Sequence, residues 1–289
     1  MKFHTDVQLP ASSLQLTPSS RVVLLGSCFA EEVGSRLSDS LPEGHVVVNP
    51  CGVLYNPESI AQTVRLLLME EHERRSCLEE SLFQARDGRW HSWLFSTKFT
   101  SESSQGCVNR CMESLAIGFD GVDLLVITLG TDHCYRLRAD GRVVANCHKE
   151  PAAMFEESVF GDSQSLHVAL QWLLRQYPSM RILLTVSPYR YAKYGFHESQ
   201  LSKARLLLLV DACCRYFTNV DYFPAYEILL DELRDYRFYA ADMLHPSEQA
   251  ADYIFERFSD WCFTSELRSF AAERLKELKR MRHRQTFLP

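Results

Sequence analysis

Three residue types that together open esters occur in this chain in two short runs. Ser27 lies within Gly26-Ser27-Cys28-Phe29-Ala30, and Asp242 and His245 lie within Asp242-Met243-Leu244-His245-Pro246-Ser247. A serine hydroxyl is a poor nucleophile until a base takes its proton, and an imidazole base works best when a carboxylate fixes its tautomer. The expected chemistry is therefore attack of Ser27 on an ester carbonyl, with His245 as general base and Asp242 as its orienting acid. Each residue also has a bland reading: Ser27 as a helix N-cap, Asp242 as a turn or capping residue, and His245 as a surface loop histidine. Cys28 is a second candidate nucleophile, ranked below Ser27 because adjacent residues in a tight turn point differently and Glu31 and Glu32 oppose a thiolate.

The elements that must position these residues are legible from periodicity. Apolar, β-branched runs at Arg21–Leu25, Val46–Val48, Leu124–Leu129, Ile182–Val186 and Val220–Phe223 read as strands. Amphipathic segments at Ala30–Leu37, Pro57–Arg75, Cys107–Gly118, Gln164–Tyr177, Ser199–Phe217, Pro246–Cys262 and Glu266–Arg282 read as helices. This alternation predicts an α/β fold, a parallel sheet with helices on both faces. Ser27 then falls at the carboxyl end of the first strand, where ligands bind in open α/β sheets, beside helix N–H groups able to stabilise an oxyanion. Two excursions interrupt the pattern, Leu82–Phe99 and a hairpin centred on Asp140-Gly141. Neither is long enough for a domain, and no repeat or linker composition occurs, so residues 1–289 are read as one domain.

The motifs resemble those of the GSCFA family, a branch of the SGNH or GDSL-type hydrolase-like superfamily. Besides Gly26-Ser27-Cys28-Phe29-Ala30, the similar segments are Asn49–Pro57, Ile127–Thr131, Asn146–Lys149, Val186–Pro188, Ser202-Lys203 and Asp242–Ser247. The resemblance covers nearly the whole chain. It implies a three-layer, doubly wound, flavodoxin-like sheet, here with a β-hairpin insertion and an extra C-terminal helix. By position it implies Ser27, His245 and Asp242 as the triad and an oxyanion hole of the Ser27 and Gly52 N–H groups; for the third donor either Thr131 donates, or Asp132 is protonated, or the hole has two donors only. Asp132 stands where better-known relatives carry an amide, and an ionised carboxylate there only accepts hydrogen bonds. The run Asp132-His133-Cys134-Tyr135 and Arg190-Tyr191 depart from the family's usual residues, so Asp132, His133 and Arg190 become candidates for substrate contact, with Asn56, His91, His148 and Lys149. Superfamily analogy points to a small acyl group on a carbohydrate-like carrier.

Taking Asp140-Gly141 as a two-residue loop pairs Cys134 with Cys147 and His133 with His148. Adjacent strand residues point to opposite faces, so these four do not converge on one zinc ion, and neither metal nor cofactor is expected. Ten cysteines without a Cys-x-x-Cys read as reduced thiols, those in helical segments packing as small hydrophobes. A net charge of -6 argues against nucleic acid as a partner. No apolar run is long enough for a membrane span or signal peptide, so a soluble, cytoplasmic protein is expected. The last helix could dock a second subunit, although a solvated face is its default reading. An acyltransferase would use the same triad, and a binding or regulatory protein that has lost turnover is the competing class.

Overall fold

Val22–Gly26 is apolar at consecutive positions, as a strand buried on both faces must be. It forms β1 of the structure, a computed structural model that describes residues 5–11, 14–159 and 164–285. After β1 come α1 (Cys28–Ser40), β2 (Val46–Val48), α2 (Pro57–Leu68), α3 (Glu71–Glu80), β3 (Leu82–Gln84), β4 (Trp90–Ser92) and α4 (Ser104–Ser114). The middle contains β5 (Leu124–Leu129), β6 (His133–Leu137), β7 (Val143–Val144), β8 (Phe155–Val159), α5 (Gln164–Gln176) and β9 (Arg181–Val186). The chain continues through α6 (Phe196–Tyr216), β10 (Val220–Tyr222), a short α7 (Ala225–Glu227), α8 (Glu248–Cys262) and α9 (Ser265–Gln285).

Five strands make one parallel sheet in the order β2-β1-β5-β9-β10, with Val22 opposite both Val46 and Leu124. Counted along the sheet's own strands this is the flavodoxin-like doubly wound order. Alternate strand residues feed two cores. Val23, Leu25, Leu125, Ile127 and Leu184 pack under α2, α4, α5 and α6. Val22, Leu24, Leu124, Val126 and Leu183 pack under α1, α8 and α9. The winding reverses between β1 and β5, which opens a crevice at their carboxyl ends.

Three sequence expectations need correction. Pro57–Arg75 is not one helix: α2 stops at Met69 and α3 restarts from Glu70, whose capping box with Glu73 closes the new amino terminus. The Arg74 guanidinium explains the break, since it donates to the carbonyls of Leu66, Leu67 and Met69 and so ends α2. The second correction is the hairpin register, in which Tyr135 pairs Val144 and Arg136 pairs Val143, two residues out from the expected alignment. Leu137 N–H and Gly141 N–H close a wider turn, and Ala145 leaves β6 to donate to Trp93 O. Cys134 therefore meets Ser158 of β8, and His148 packs on His91. Third, β8 was not foreseen: Phe155–Val159 pairs along all of β6 but carries Glu-Glu-Ser on an exposed ribbon, without an apolar alternation. The first turns of α9 are used within the chain, with Leu267 and Ala271 buried and α1 beside them. Among the described residues no helix is long and apolar enough to cross a membrane.

Candidate active site

A cavity of about 380 Å³ lies at the carboxyl ends of β1 and β5, and Cys28, Asn56, Thr131, His133, Cys147 and His245 line it together with Tyr55, Tyr135, Tyr189, Tyr191 and Lys193. The size is ordinary for a small-molecule site. A larger depression of about 600 Å³ elsewhere is lined by charged loop residues such as Asp231, Arg234 and Arg237, with no nucleophile beside a base.

The Asp242–His245 loop is built by its own carboxylate. Asp242 Oδ1 accepts the Leu244 and His245 N–H groups at 2.9 and 3.0 Å, while Oδ2 accepts His245 Nδ1 at 2.5 Å. One side chain thus folds the turn and sets the imidazole tautomer, leaving Nε2 for proton transfer. The hydrogen bond from the His245 ring, then those from the two backbone N–H groups, hold the Asp242 pKa down to about 2. Met243 between them takes φ +60°, a left-handed conformation that costs a side-chain-bearing residue energy. Arg190 restrains this loop from outside: its backbone N–H donates to Leu244 O at 3.0 Å and its guanidinium to Met243 O at 3.1 Å. Arg190 is therefore a brace for the loop and does not line the cavity, contrary to the expectation of substrate contact. Tyr189 packs on the His245 ring with centroids 4.3 Å apart.

Ser27 is not where the sequence reading put its side chain. It precedes α1 as N-cap, is 1% exposed, and its Oγ is buried without a hydrogen-bond partner among the described residues. Its N–H, expected to serve an oxyanion, donates to Thr128 O at 3.1 Å as an extension of the sheet ladder. Gly26 makes this close approach possible, since at φ +140° a Cβ there would meet Thr128 O at 2.2 Å. The next residue, Cys28, is the one that reaches the cavity. Burial raises its thiol pKa, the N–H groups of Phe29 and Cys28 itself partly offset this, and Glu31 and Glu32 add to the rise.

Gly52 also proves structural. Its N–H donates to Asn49 O at 2.7 Å, and a Cβ there would meet Ser96 Oγ at 2.0 Å. Thr131 does face the cavity. Ser202 Oγ accepts the Asp132 N–H at 3.0 Å and lies 3.3 Å from Thr131 Oγ1, which also accepts the His133 N–H. If Ser202 gives its proton to Thr131, the Thr131 hydroxyl proton is left for a ligand. Asn56 caps α2 through Oδ1, which accepts the Ser59 N–H at 2.9 Å, so what it can offer the cavity is its amide N–H donors.

The Asp132 carboxylate is fully buried and is not in the cavity lining; Oδ2 accepts from Arg205 at 2.7 Å, which offsets its charge, and Oδ1 lies 3.8 Å from Nε2 of His133. Beneath it the Lys203 ammonium donates to Gly130 O at 2.7 Å and Ser187 O at 2.8 Å, tying together the ends of β5 and β9. Burial drives the Lys203 pKa down to about 7. His133 holds Glu157 through Nδ1 at 3.0 Å and stacks on Tyr194.

His91 and His148 face each other and not the cavity, with ring centroids 4.9 Å apart among Phe83 and Trp93. Neither ring nitrogen of buried His148 has a hydrogen-bond partner among the described residues, and burial together with His91 lowers its pKa to about 4. Lys149 is exposed at φ +60° and does not line the cavity. Among the described residues no group of three or more His, Cys, Asp or Glu could hold a metal ion. Sequence reasoning missed the tyrosine wall, for which the one available signal was the alternation in Tyr189-Arg-Tyr191-Ala-Lys193-Tyr194.

Fold and site together define a doubly wound α/β protein with a histidine–carboxylate pair at the rim of its switch-point cavity. The chain belongs to the GSCFA family, which matches residues 21–258. No curated protein matches it. Among solved structures, a candidate platelet activating factor from Streptococcus pneumonia is 13% identical over 86% of this chain and 85% of its own, with a TM-score of 0.40, too loose a likeness to bear on function.

Proposed function

We propose that the protein is an SGNH-type ester hydrolase, acting through a covalent acyl-enzyme formed at the turn between β1 and α1. The observation that carries this is the oriented His245–Asp242 pair, with its ring held on Tyr189 at the edge of a cavity that also receives the first turn of α1. Such a pair serves proton transfer to and from an attacking and a departing group. Thr131 and Asn56 add hydrogen-bond donors where an oxyanion would form. Tyr55, Tyr135, Tyr189 and Tyr191 provide flat apolar faces with polar tips, which suits an acyl group on a hydroxylated, carbohydrate-like carrier. An acyltransferase would use the same groups with an alcohol in place of water.

A specific observation favours the non-catalytic alternative of a ligand-binding protein: the Ser27 and Gly52 N–H groups are already bonded to Thr128 O and Asn49 O. The two readings separate on hydrolysis of p-nitrophenyl acetate by the wild type and His245→Ala. Turnover in the wild type that falls roughly a hundredfold or more in the variant supports the hydrolase. Equal rates in both proteins, with fold retained, would overturn it.

A further inference from the structure

We propose that the nucleophile of this site is the thiol of Cys28, not the hydroxyl of Ser27, so that the acyl group is carried on the enzyme as a thioester. This rests on the acyl-transfer reading above and names the atom through which it runs.

A nucleophile must see both the substrate and the base. Ser27 Oγ sees neither, being sealed from solvent, without a hydrogen-bond partner among the described residues, and absent from the cavity lining. The reason lies in the turn. With its N–H on Thr128 O and its carbonyl accepting the Ala30 N–H, Ser27 is the last residue of the sheet ladder and the cap of α1, which leaves its side chain against the backbone at Gly130. Cys28, one residue further round, lines the same cavity as His245. Tyr189 lies with both in that lining and packs on the His245 ring.

The N–H groups of Cys28 and Phe29, at the start of α1, lie beside the sulfur along the chain and partly offset the rise that burial gives the thiol pKa. They are the backbone donors beside the carbonyl oxygen once a sulfur–carbon bond forms, and they take over the role that the Ser27 and Gly52 N–H groups cannot fill. Because burial, together with Glu31 and Glu32, disfavours a standing thiolate, the proton is removed only when a base takes it, and His245 is the base in the cavity.

The step balances without a further reactant. The Cys28 S–H proton passes to His245 Nε2 as sulfur bonds the ester carbon; the carbon–oxygen bond then breaks and the departing alcohol takes that proton. Water, deprotonated by His245, adds to the thioester; the sulfur–carbon bond breaks, releasing the acid and returning the proton to Cys28.

The experiment uses the intact protein and has two arms. In the first, the wild type is quenched during p-nitrophenyl acetate turnover and mapped by mass spectrometry. The expected result is one acetyl group on Cys28, released by neutral hydroxylamine as thioesters are, with hydrolysis lost roughly a hundredfold in Cys28→Ala and retained in Ser27→Ala. A hydroxylamine-resistant acetyl ester on Ser27, or hydrolysis that survives Cys28→Ala and disappears in Ser27→Ala, would overturn the inference while leaving the esterase reading intact.

The second arm does not need turnover. Iodoacetamide is expected to alkylate Cys28 faster than the partly exposed Cys77 and Cys214, and about tenfold more slowly in His245→Ala. That outcome upholds Cys28 as the nucleophile served by His245 even if p-nitrophenyl acetate is not an ester the protein hydrolyses. Alkylation of Cys28 no faster than of Cys214, and indifferent to His245, would overturn it.

Discussion

His245 and His148 each sit among aromatic rings, yet they are held in opposite ways. His245 keeps 46% of its side chain in solvent, has Nδ1 on the Asp242 carboxylate, and rests one face on Tyr189. His148 is buried between His91, Phe83 and Trp93 with no partner on either nitrogen among the described residues, on a backbone at φ +49°. A histidine becomes a proton carrier when a carboxylate fixes one nitrogen and the other remains accessible. The same ring sealed in an apolar cluster is a packing element that stores an acid sensitivity. Residue type does not separate the two; the orienting carboxylate and the access do.

The sharpest test of this contrast is to remove each ring. His245→Ala is expected to lower ester turnover roughly a thousandfold with little change in melting temperature, whereas His148→Ala should keep turnover and lose stability, read by parallel kinetics and thermal unfolding. Comparable loss of activity in both would erase the distinction.

Acid should distinguish them next. The folded-state pKa of His148, about 4, lies below its unfolded value, so the unfolded chain binds the extra proton in between. Stability from this residue is complete above about pH 6.5, falls by about 3 kcal/mol on acidification to about pH 4, and is flat below. His148→Phe should flatten that part of a denaturant-unfolding series across pH. Asp242, with its pKa near 2, stays ionised throughout this window, so its grip on His245 is lost only as pH falls through that value.

A smaller effect is expected from Asp242→Asn, which retains the shape of the loop and removes the charge that fixes the tautomer: roughly a hundredfold lower kcat, with KM nearly unchanged. Smaller again is Arg190→Ala. It releases the carbonyl of Met243, while the backbone N–H keeps Leu244 O, and should cost about tenfold in kcat, through a His245 ring that wanders from its orientation. Partial recovery in Arg190→Lys, which restores one donor to Met243 O, would identify a positioning role.

Much of the architecture was legible. The apolar runs at β1, β5 and β9 were read nearly to the residue because central parallel strands buried on both faces leave an unbroken apolar signature, and the half-buried edge strands β2 and β10 were read from their β-branched and aromatic residues. The hairpin was legible as an element but not in register. Asp140-Gly141 suits a two-residue loop, yet Leu137 and Arg142 close a wider one because Ala145 is drawn off to Trp93. Strand β8 gave no periodic signal, and the α2–α3 break depended on one arginine side chain folding back on the carbonyls of the preceding turn, which periodicity does not register. Of the expected site residues, Asp242, His245, Asn56, Thr131 and His133 gather at one edge of the sheet. Ser27, Gly52, Asp132, Arg190, His91, His148 and Lys149 do not line the cavity.

By itself the sequence determined the parallel sheet, its two helical layers and the Asp-x-x-His loop, since periodicity and short-range hydrogen bonding are local properties that survive in a linear string. Only the tertiary structure decided which of two adjacent residues looks into the cavity. That choice depends on where β1 stops pairing with β5: the ladder runs one residue past Gly26, takes the Ser27 N–H, and turns its hydroxyl inward and the Cys28 thiol out. It is set by hydrogen bonds to a strand about a hundred residues away, which no local pattern around Gly26-Ser27-Cys28 encodes.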